Sequence, residues 1–307
     1  MTKKCLLLFR NGIGDLINLT PSLRELHHHG YHADILVRRH LDDSGVFSAC
    51  PYATLIPMDV GSIAAGGPRG KEASAVSKAE FDKRKGDYDG SWTYRGQAPP
   101  ERGSLVAMYY KQTVEAMSLT PTVKIRPGAV YGPPEVWIPE ECEQEAAAFV
   151  KKKFPEGFIF KRSFARSHGL HRFRGAEEWI ARELPSLPVF DQDAYHAMHS
   201  FWSNINTLFA IAKRAQHVVL YSSVMVHACE AMGTTMDIVN YGTEATKHWP
   251  EDPNMIKVIR SHMINKKNHM PFGAPKYSSD GGKTWTTDPQ DDLNMSEYSL
   301  SGREKRK

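Results

Sequence analysis

Apolar and polar positions form three successive blocks at the start of the chain. A continuous apolar run over residues 5–9 predicts a buried strand. Leucines then recur at helical spacing and predict a helix over 15–29, which Gly30 ends. A second apolar run at 33–37 completes a strand–helix–strand unit. Such a unit is typical of a parallel sheet with helices on its faces.

A second series of alternating helix and strand patterns follows after residue 140. Apolar runs predict strands at 157–161, 189–190, 217–221 and 234–242, and helical spacing predicts helices at 141–154, 176–184, 205–215 and 223–233. The Pro- and Gly-rich segment 126–139 is the predicted linker between the two α/β halves. Parallel sheets bind ligands at the carboxyl ends of their strands, so we expect a cleft between the halves.

Two stretches lack a clear periodic pattern. Residues 61–103 predict a long surface loop with one short helix near 73–83, before a predicted helix at 105–117. From residue 271 onward the chain is polar, with a possible hairpin at 278–287 and a basic end, and we expect weak order there. The predicted domains are 1–135, 136–275 and a polar tail, 276–307.

Composition narrows the class of protein only modestly. Hydrophobic residues make up 41% and charged residues 24% of the chain, as in ordinary globular proteins. The net charge of +4 is compatible with an anionic ligand. No apolar run approaches the roughly 18 residues of a membrane span. Four scattered cysteines without a C-x-x-C pair argue against a disulfide framework or zinc site, so we expect a cytoplasmic protein.

A glycine-spaced turn follows the first predicted strand. Gly12 and Gly14 can bend the chain tightly and let a ligand approach the backbone. The dinucleotide fingerprint is incomplete, because Ile17 stands where its third glycine belongs, and this argues against a nicotinamide enzyme. Asp15 begins the helix. It either caps that helix or acts as a general base facing the cleft, and the sequence leaves both interpretations open.

Two hydroxyl side chains follow the strand predicted at 217–221 and stand at the start of the next predicted helix. Ser222 and Ser223 would stand beside free backbone N–H groups, a setting that suits a phosphate. His227 lies one helical turn further on. The alternative is that Ser222 only caps the helix and that His227 is an interior histidine.

A basic segment at 161–175 offers cations for a phosphate, or else forms a solvated loop. Its cations are Lys161, Arg162, Arg166, Arg172 and Arg174. Asp191 and Asp193 have the spacing of a metal-binding acidic pair but fit a turn equally well. The histidines at 27–29 point in different directions on a helix and predict a solvated helix end. We therefore expect no metal.

Together the two informative stretches resemble a known family. "RNGIGDLINLTPSLRELHHHGYHADILV", with Gly14-Asp15 and the T-P-x-L-R-x-L pattern at 20–26, is similar to the start of glycosyltransferase family nine, the ADP-heptose:lipopolysaccharide heptosyltransferases. Residues 222–229 resemble that family's D-[ST]-G-x-x-H-x-A helix. They keep the second hydroxyl and His227, but have Ser222 and Val224 where the family has Asp and Gly.

The resemblance implies the GT-B fold, in which two Rossmann-like domains face a central cleft. It also implies metal-independent, inverting transfer from a nucleotide sugar, which is a co-substrate, so that no cofactor is expected. By the same resemblance Asp15 is the base that activates the acceptor. The predicted donor and phosphate site comprises Gly12, Gly14, Arg162, Arg172, Arg174, Ser222, Ser223 and His227.

The acceptor stays open between two classes. The resemblance favours a lipopolysaccharide-type sugar. Trp92, Tyr94 and Arg95, set among cations, and the basic end of the chain favour a hydroxymethylated base in DNA. The altered residues at 222 and 224 support a third hypothesis, a non-catalytic protein that binds a nucleotide or nucleic acid on the same scaffold.

Overall fold

The computed structural model describes residues 2–60, 67–94, 105–123, 132–162, 180–181, 184–192, 204–221, 224–234, 236–240 and 256–261. The strands are β1 (Lys3–Leu8), β2 (Tyr31–Arg38), β3 (Ala53–Met58), β4 (Gly90–Thr93), β5 (Ile159–Arg162), β6 (Val189–Asp191), β7 (His217–Tyr221), β8 (Met236–Asn240) and β9 (Ile256–Ser261). The α-helices are α1 (Ile13–Asn18), α2 (Thr20–His28), α3 (Arg39–Asp42), α4 (Gly67–Arg84), α5 (Leu105–Ala116), α6 (Glu140–Lys153), α7 (Ile205–Lys213) and α8 (Val224–Ala231).

The first half forms a four-stranded parallel sheet in the order β3-β2-β1-β4. Strand β1 is internal, and its alternate side chains are buried on opposite faces. Leu6 and Leu8 pack with Phe81 of α4. Leu7 and Phe9 belong to the larger core on the other face. Burial on both faces explains the continuous apolar run that predicted this strand.

The predicted helix over 15–29 is two helices in the structure, α1 and α2, which meet at Leu19. Pro21 lies in the first turn of α2 and has no N–H to donate to the carbonyl of Ile17. The hydroxyl of Thr20 donates to that carbonyl instead, at 2.8 Å. The end of the predicted helix is confirmed, since Gly30 has a φ of +79°.

The prediction of a long loop over 61–103 is wrong for much of its length. Helix α4 has 18 residues, well beyond the short helix predicted at 73–83. Strand β4 lies in the same segment and pairs with β1. Its sequence, GSWT, has a single large apolar residue, Trp92, and therefore shows no apolar run. The helix predicted at 105–117 is confirmed by α5.

The second half forms a five-stranded parallel sheet in the order β6-β5-β7-β8-β9. The strands predicted at 157–161, 189–190, 217–221 and 234–242 and the helices at 141–154, 205–215 and 223–233 all have counterparts. Strand β9 was not predicted. Most of the helix predicted at 176–184, the tail and its hairpin lie outside the described residues.

The described part of the predicted linker packs on the first half. The backbone N–H of Glu135 donates to Thr20 Oγ1 at 2.7 Å, and its carboxylate pairs with Arg24. The ring of Trp137 contacts those of Phe47 and Tyr52 edge-on. Residues 132–139 are therefore anchored to the first half, while the domain boundaries themselves stay a prediction.

The two halves also contact each other directly. Ser44, after α3, accepts a backbone hydrogen bond from Ile205 at 2.9 Å, and Gly45 accepts one from the side chain of Asn206 at 2.7 Å. Buried apolar residues of both halves form one continuous core. Among the described helices, none combines the length and apolar character that crossing a bilayer requires.

Candidate functional site

Asp15 lies at the junction between β1 and α1, where the first half turns from strand to helix. Its Oδ2 accepts a long hydrogen bond of 3.4 Å from the backbone N–H of Gly12, the residue that caps α1. Its Oδ1 accepts a hydrogen bond of 2.9 Å from the hydroxyl of Tyr109 on α5. The capping interpretation thus accounts for one contact, and Tyr109 adds a contact that a cap does not need.

Tyr109 is fully buried behind this carboxylate. Its ring contacts those of Phe9 and Tyr94, with centroids 5.9 and 4.8 Å away. The side-chain amide of Asn11 donates to its hydroxyl at 2.7 Å. Burial, reinforced by the negative charge of Asp15, raises the pKa of Tyr109 well above its usual value. The hydroxyl therefore stays protonated and donates a hydrogen bond to Asp15.

Gly14 brings α1 against α8 of the second half. A methyl group on Gly14 would lie 2.8 Å from Cδ2 of His227 and 3.5 Å from Cα of Val224. His227 is only 5% exposed, so its ring has little room to move away. The small size of Gly14 thus allows contact with the protein's own His227, whereas the expected approach of a ligand to this turn stays a prediction.

Gly12 differs from Gly14 in its surroundings. The nearest described atom to a methyl group there is Oδ2 of Asp15, at 3.9 Å. Its backbone φ of −90° is open to any residue. The space on the Gly12 side of the carboxylate is therefore unfilled by the described residues.

The carboxyl end of a strand in the second half lies near the same turn. Strand β7 ends at Tyr221, and α8 begins at Val224 beside Gly14. Arg162 ends the neighbouring strand β5, in register with Leu220. The structure thus brings Gly12, Gly14, Asp15 and His227 together and puts Arg162 at the carboxyl end of a strand next to β7. Ser222, Ser223, Arg172 and Arg174 lie outside the described residues.

Lys161 departs from the predicted basic loop. It is 3% exposed and forms an ion pair of 2.8 Å with Asp191. This pair is an interior contact between β5 and β6, so Lys161 is not a solvated cation. Asp193 lies outside the described residues. Among those that are described, no three His, Cys, Asp or Glu side chains are grouped as metal ligands would be.

The histidine run at the end of α2 is only partly a solvated helix end. His27 and His28 are exposed, as predicted. His29 is half-buried, and its Nε2 lies 3.1 Å from the buried carboxylate of Glu25. The i, i+4 spacing on one helix face explains this contact.

Two arginines that sequence reasoning left out of the site lie at the carboxyl edge of the first sheet. Arg10 follows β1 and donates to Ser74 of α4 at 2.8 Å. Arg38 ends β2 and donates to the carbonyl of Asn11 at 3.3 Å. Burial lowers the pKa of each guanidinium below its ordinary value. Their positions at adjacent strand ends were a usable signal, because such ends meet at one edge of a parallel sheet.

The aromatic residues predicted to contact nucleic acid pack in or against the core of the first half. Trp92 is 6% exposed, and Tyr94 is packed edge-on against Trp92, Phe9 and Tyr109. Burial raises the pKa of Tyr94 well above its usual value. The Trp92 ring is thus too buried to stack on a base, Tyr94 is partly buried, and the DNA acceptor stays a prediction. Arg95 lies outside the described residues.

The two parallel sheets and their direct contact define the GT-B fold, as comparison with solved structures shows. The chain is similar to a glycosyltransferase family 9 protein from Veillonella parvula, with a TM-score of 0.56 and 13% identity over 88% of this chain and 92% of that chain. It is also similar to E. coli ADP-heptose lipopolysaccharide heptosyltransferase II (TM-score 0.54, 11% identity, 85% and 91%) and to E. coli heptosyltransferase WaaC with ADP (0.50, 12%, 84% and 93%).

No family model and no curated protein matches the sequence. At 11–13% identity, the structural likeness establishes the fold. The resemblance to family nine that the sequence indicated is thereby confirmed at the level of architecture.

Proposed function

We propose that this protein is a glycosyltransferase that moves a sugar from a nucleotide-sugar donor to an acceptor hydroxyl. One observation carries the proposal. The carboxylate of Asp15 is held by Tyr109 and Gly12 on a helix whose first turn packs, at Gly14, against the start of α8. A candidate base and a candidate phosphate-binding helix start thus lie side by side.

The proposed reaction needs one proton acceptor and one stabilised leaving group. The acceptor oxygen forms a bond to the anomeric carbon while its proton passes to Asp15. The bond from that carbon to the phosphate oxygen breaks on the opposite face, which inverts the configuration. The nucleoside diphosphate leaves with the electron pair.

The negative charge on the departing diphosphate requires donors and cations rather than a metal in this scheme. The first N–H groups of α8 supply donors, and Arg162, at the end of β5, supplies a cation. We assign Ser222, Ser223, Arg172, Arg174 and His227 to the same donor site.

A carbohydrate of the lipopolysaccharide type is the acceptor class that we favour. Arg10 and Arg38 place positive charge at the carboxyl edge of the first sheet, and this charge suits a sugar with an acidic group. The buried position of Trp92 weakens the argument for a base in DNA. Salt-dependent retention on DNA tests that alternative.

The second candidate is a non-catalytic nucleotide-binding protein. It is favoured by Val224, whose backbone contacts the Gly14 position and which stands where the related family has glycine. Turnover distinguishes the two candidates. Both predict nucleotide binding, but only the transferase releases nucleoside diphosphate from a nucleotide sugar when an acceptor is added.

The first test is a thermal-shift screen of the whole chain against nucleoside diphosphates and their sugars. Binding to the folded state alone raises the Tm by mass action. We expect at least one diphosphate and its sugar to raise the Tm, with nucleosides as matched controls. No shift with any nucleotide at millimolar concentration would contradict both candidates.

A further inference from the structure

We propose that Asp191, at the end of β6, binds the ribose hydroxyls of the nucleotide-sugar donor. The donor is accordingly a ribonucleotide sugar, and the carboxyl end of β6 is the nucleoside part of the donor site. This inference rests on the proposed function, because it assigns a binding role within the same site.

The strand order of the second sheet indicates where the diphosphate lies. From β5 the chain passes to one neighbouring strand, β6, and then back to the neighbour on the other side, β7. Sheets of this kind bind nucleotides where the order reverses, outside the carboxyl ends of the two strands that flank the reversal. Arg162 ends β5, and α8 follows β7. The diphosphate is therefore expected beside Arg162 and the start of α8.

Strand β6 is in the right place for the ribose. Neighbouring strands are about 4.8 Å apart, so β6 lies about 10 Å from β7 across the sheet. A nucleoside diphosphate can span this interval, because its ribose follows directly after the phosphates. In dinucleotide-binding α/β domains, an acidic residue one crossover after the first strand hydrogen-bonds the ribose. Asp191, the last residue of β6, is an acidic residue in that position.

Lys161 holds the Asp191 carboxylate at the sheet. The two residues are in register on β5 and β6, and Nζ of Lys161 donates to Oδ2 of Asp191 at 2.8 Å. The side chain of Lys161 is 4% exposed, whereas that of Asp191 is 30% exposed. The ion pair thus has a buried cation and an accessible carboxylate. Because a carboxylate accepts several hydrogen bonds, Asp191 can bind ribose hydroxyls while it stays bonded to Lys161.

The next residue, Gln192, supplies a second observation at the same strand end. It is 7% exposed, and its Oε1 is buried without a hydrogen-bond partner among the described residues. Buried acceptors are paired almost everywhere in folded proteins, so this oxygen calls for a donor. Its last side-chain torsion is soft and can turn the oxygen toward a ligand. A nucleoside carries both hydroxyl and N–H donors.

The deciding measurement is a calorimetric titration of the whole chain with nucleoside diphosphates. The probes are the diphosphate that gives the largest thermal shift and its 2′-deoxy and 3′-deoxy forms. At least one deoxy form should bind the wild type about tenfold more weakly, because it lacks a hydrogen bond to a charged acceptor. This comparison requires no variant.

A double variant then assigns the preference to Asp191. Asp191→Ala combined with Lys161→Met removes the carboxylate without leaving a buried cation unpaired. The preference for the ribonucleotide should disappear. Loss of a negative charge near the diphosphate can shift the affinities of all three probes together, so their ratio is the readout. If the double variant does not fold, Asp191→Asn replaces it, and the preference should then shrink because a neutral amide accepts more weakly.

A second Lys–carboxylate pair of the same half provides the matched control. Glu143 of α6 and Lys213 of α7 form an ion pair of 3.1 Å, and the side chain of Glu143 is 25% exposed. Glu143→Ala combined with Lys213→Met removes the same kinds of group away from the strand ends. It should leave the ratio of affinities unchanged.

The outcomes separate this inference from the proposed function. No binding of any nucleotide contradicts the proposed function itself. Binding with equal affinity for the ribonucleotide and both deoxy forms overturns only the inference. A preference that persists unchanged without the Asp191 carboxylate also overturns it, since the ribose contact then lies elsewhere.

Discussion

Helix α5 holds two carboxylates through adjacent buried tyrosines, and the two pairs differ in the surroundings of the carboxylate. Glu25 is 4% exposed and accepts hydrogen bonds from Tyr110, from His29 and from both the backbone and the hydroxyl of Thr122. Asp15 is half-buried in the first turn of α1, and that helix contacts the second half. A tyrosine–carboxylate pair alone therefore does not identify a reactive site.

The surroundings of each carboxylate indicate whether it has a structural role or a candidate catalytic role. The donors to Glu25 come from the residue that ends α2, from α5 and from the loop at Thr122, all in the first half, so this carboxylate fastens a loop to two helices. Asp15 instead follows Gly14, which packs against the start of α8 in the second half. Glu25 is expected to govern stability, and Asp15 is expected to govern turnover.

The largest expected effect is that of Asp15→Asn on turnover. Loss of a general base typically lowers the rate by about 10²- to 10⁴-fold. Nucleotide binding and the Tm should change little, because an amide still accepts from Tyr109. The measurement is kcat for nucleoside diphosphate release, together with the thermal shift produced by the nucleotide.

Asp34→Asn is the matched control for this variant. Asp34 is 9% exposed and accepts a hydrogen bond of 2.9 Å from Tyr88, but it lies within β2. Its replacement should leave turnover per folded molecule unchanged. Equal losses of turnover in both variants would show that Asp15 acts through the fold and not through chemistry.

Some features of the fold around these two pairs could be predicted from the sequence, and others could not. Buried parallel strands such as β1 and β7 appear as apolar runs, and residues after them are placed by the fold class itself, as Asp15 and His227 were. The GSWT strand and the break at Leu19 depend on pairing partners and on one proline. No local pattern reveals the strand, whereas Pro21 is a local signal for the break that the helix prediction did not use.

Tyr109 shows why part of the site escaped prediction. It lies 94 positions after Asp15, on a helix where a buried tyrosine is indistinguishable from ordinary core. Tyr110 beside it is equally buried and also donates a hydrogen bond to a carboxylate, but the carboxylate is that of Glu25. Only the packing of α5 on α1 and α2 decides which tyrosine contacts which carboxylate.

The next largest effect is expected from Glu25→Gln on stability. The amide would present its own N–H groups to a site in which Tyr110 and Thr122 already donate, leaving buried donors unpaired. We expect the free energy of unfolding to fall by about 3 kcal/mol. Urea denaturation measures this change.

Glu80→Gln provides the comparison for that variant, because Glu80 forms a surface i, i+4 ion pair with Arg84. Its effect should be within experimental error. Nucleotide-dependent thermal shifts should survive in both variants. A loss of turnover in folded Glu25→Gln would erase the distinction between the two carboxylates.

Gly14→Ala should disturb the packing of α1 against α8 beside Asp15, and it should leave the contacts of Glu25 unchanged. Its methyl group would lie 2.8 Å from the buried ring of His227, and overpacking of this kind typically costs about 1 to 3 kcal/mol. Gly12→Ala is the control and should be nearly neutral to folding. If the ring is the obstacle, Gly14→Ala combined with His227→Ala should be less destabilised than the sum of the single changes. Additive losses would mean that the strain lies elsewhere.

The smallest effect is the pH dependence of the Glu25 contribution. Burial acts to raise the pKa of Glu25, but hydrogen bonds from Thr122, Tyr110 and His29 outweigh it and hold that pKa below its ordinary 4.5. The charged form is therefore favoured by folding, and its contribution is complete above pH 4.5. It is lost as the pH falls through the lower folded value. The difference in free energy of unfolding between wild type and Glu25→Gln should shrink as the pH falls below 4.5. A difference that grows on acidification would mean that Glu25 is held protonated, and the two carboxylates would then differ in charge as well as in surroundings.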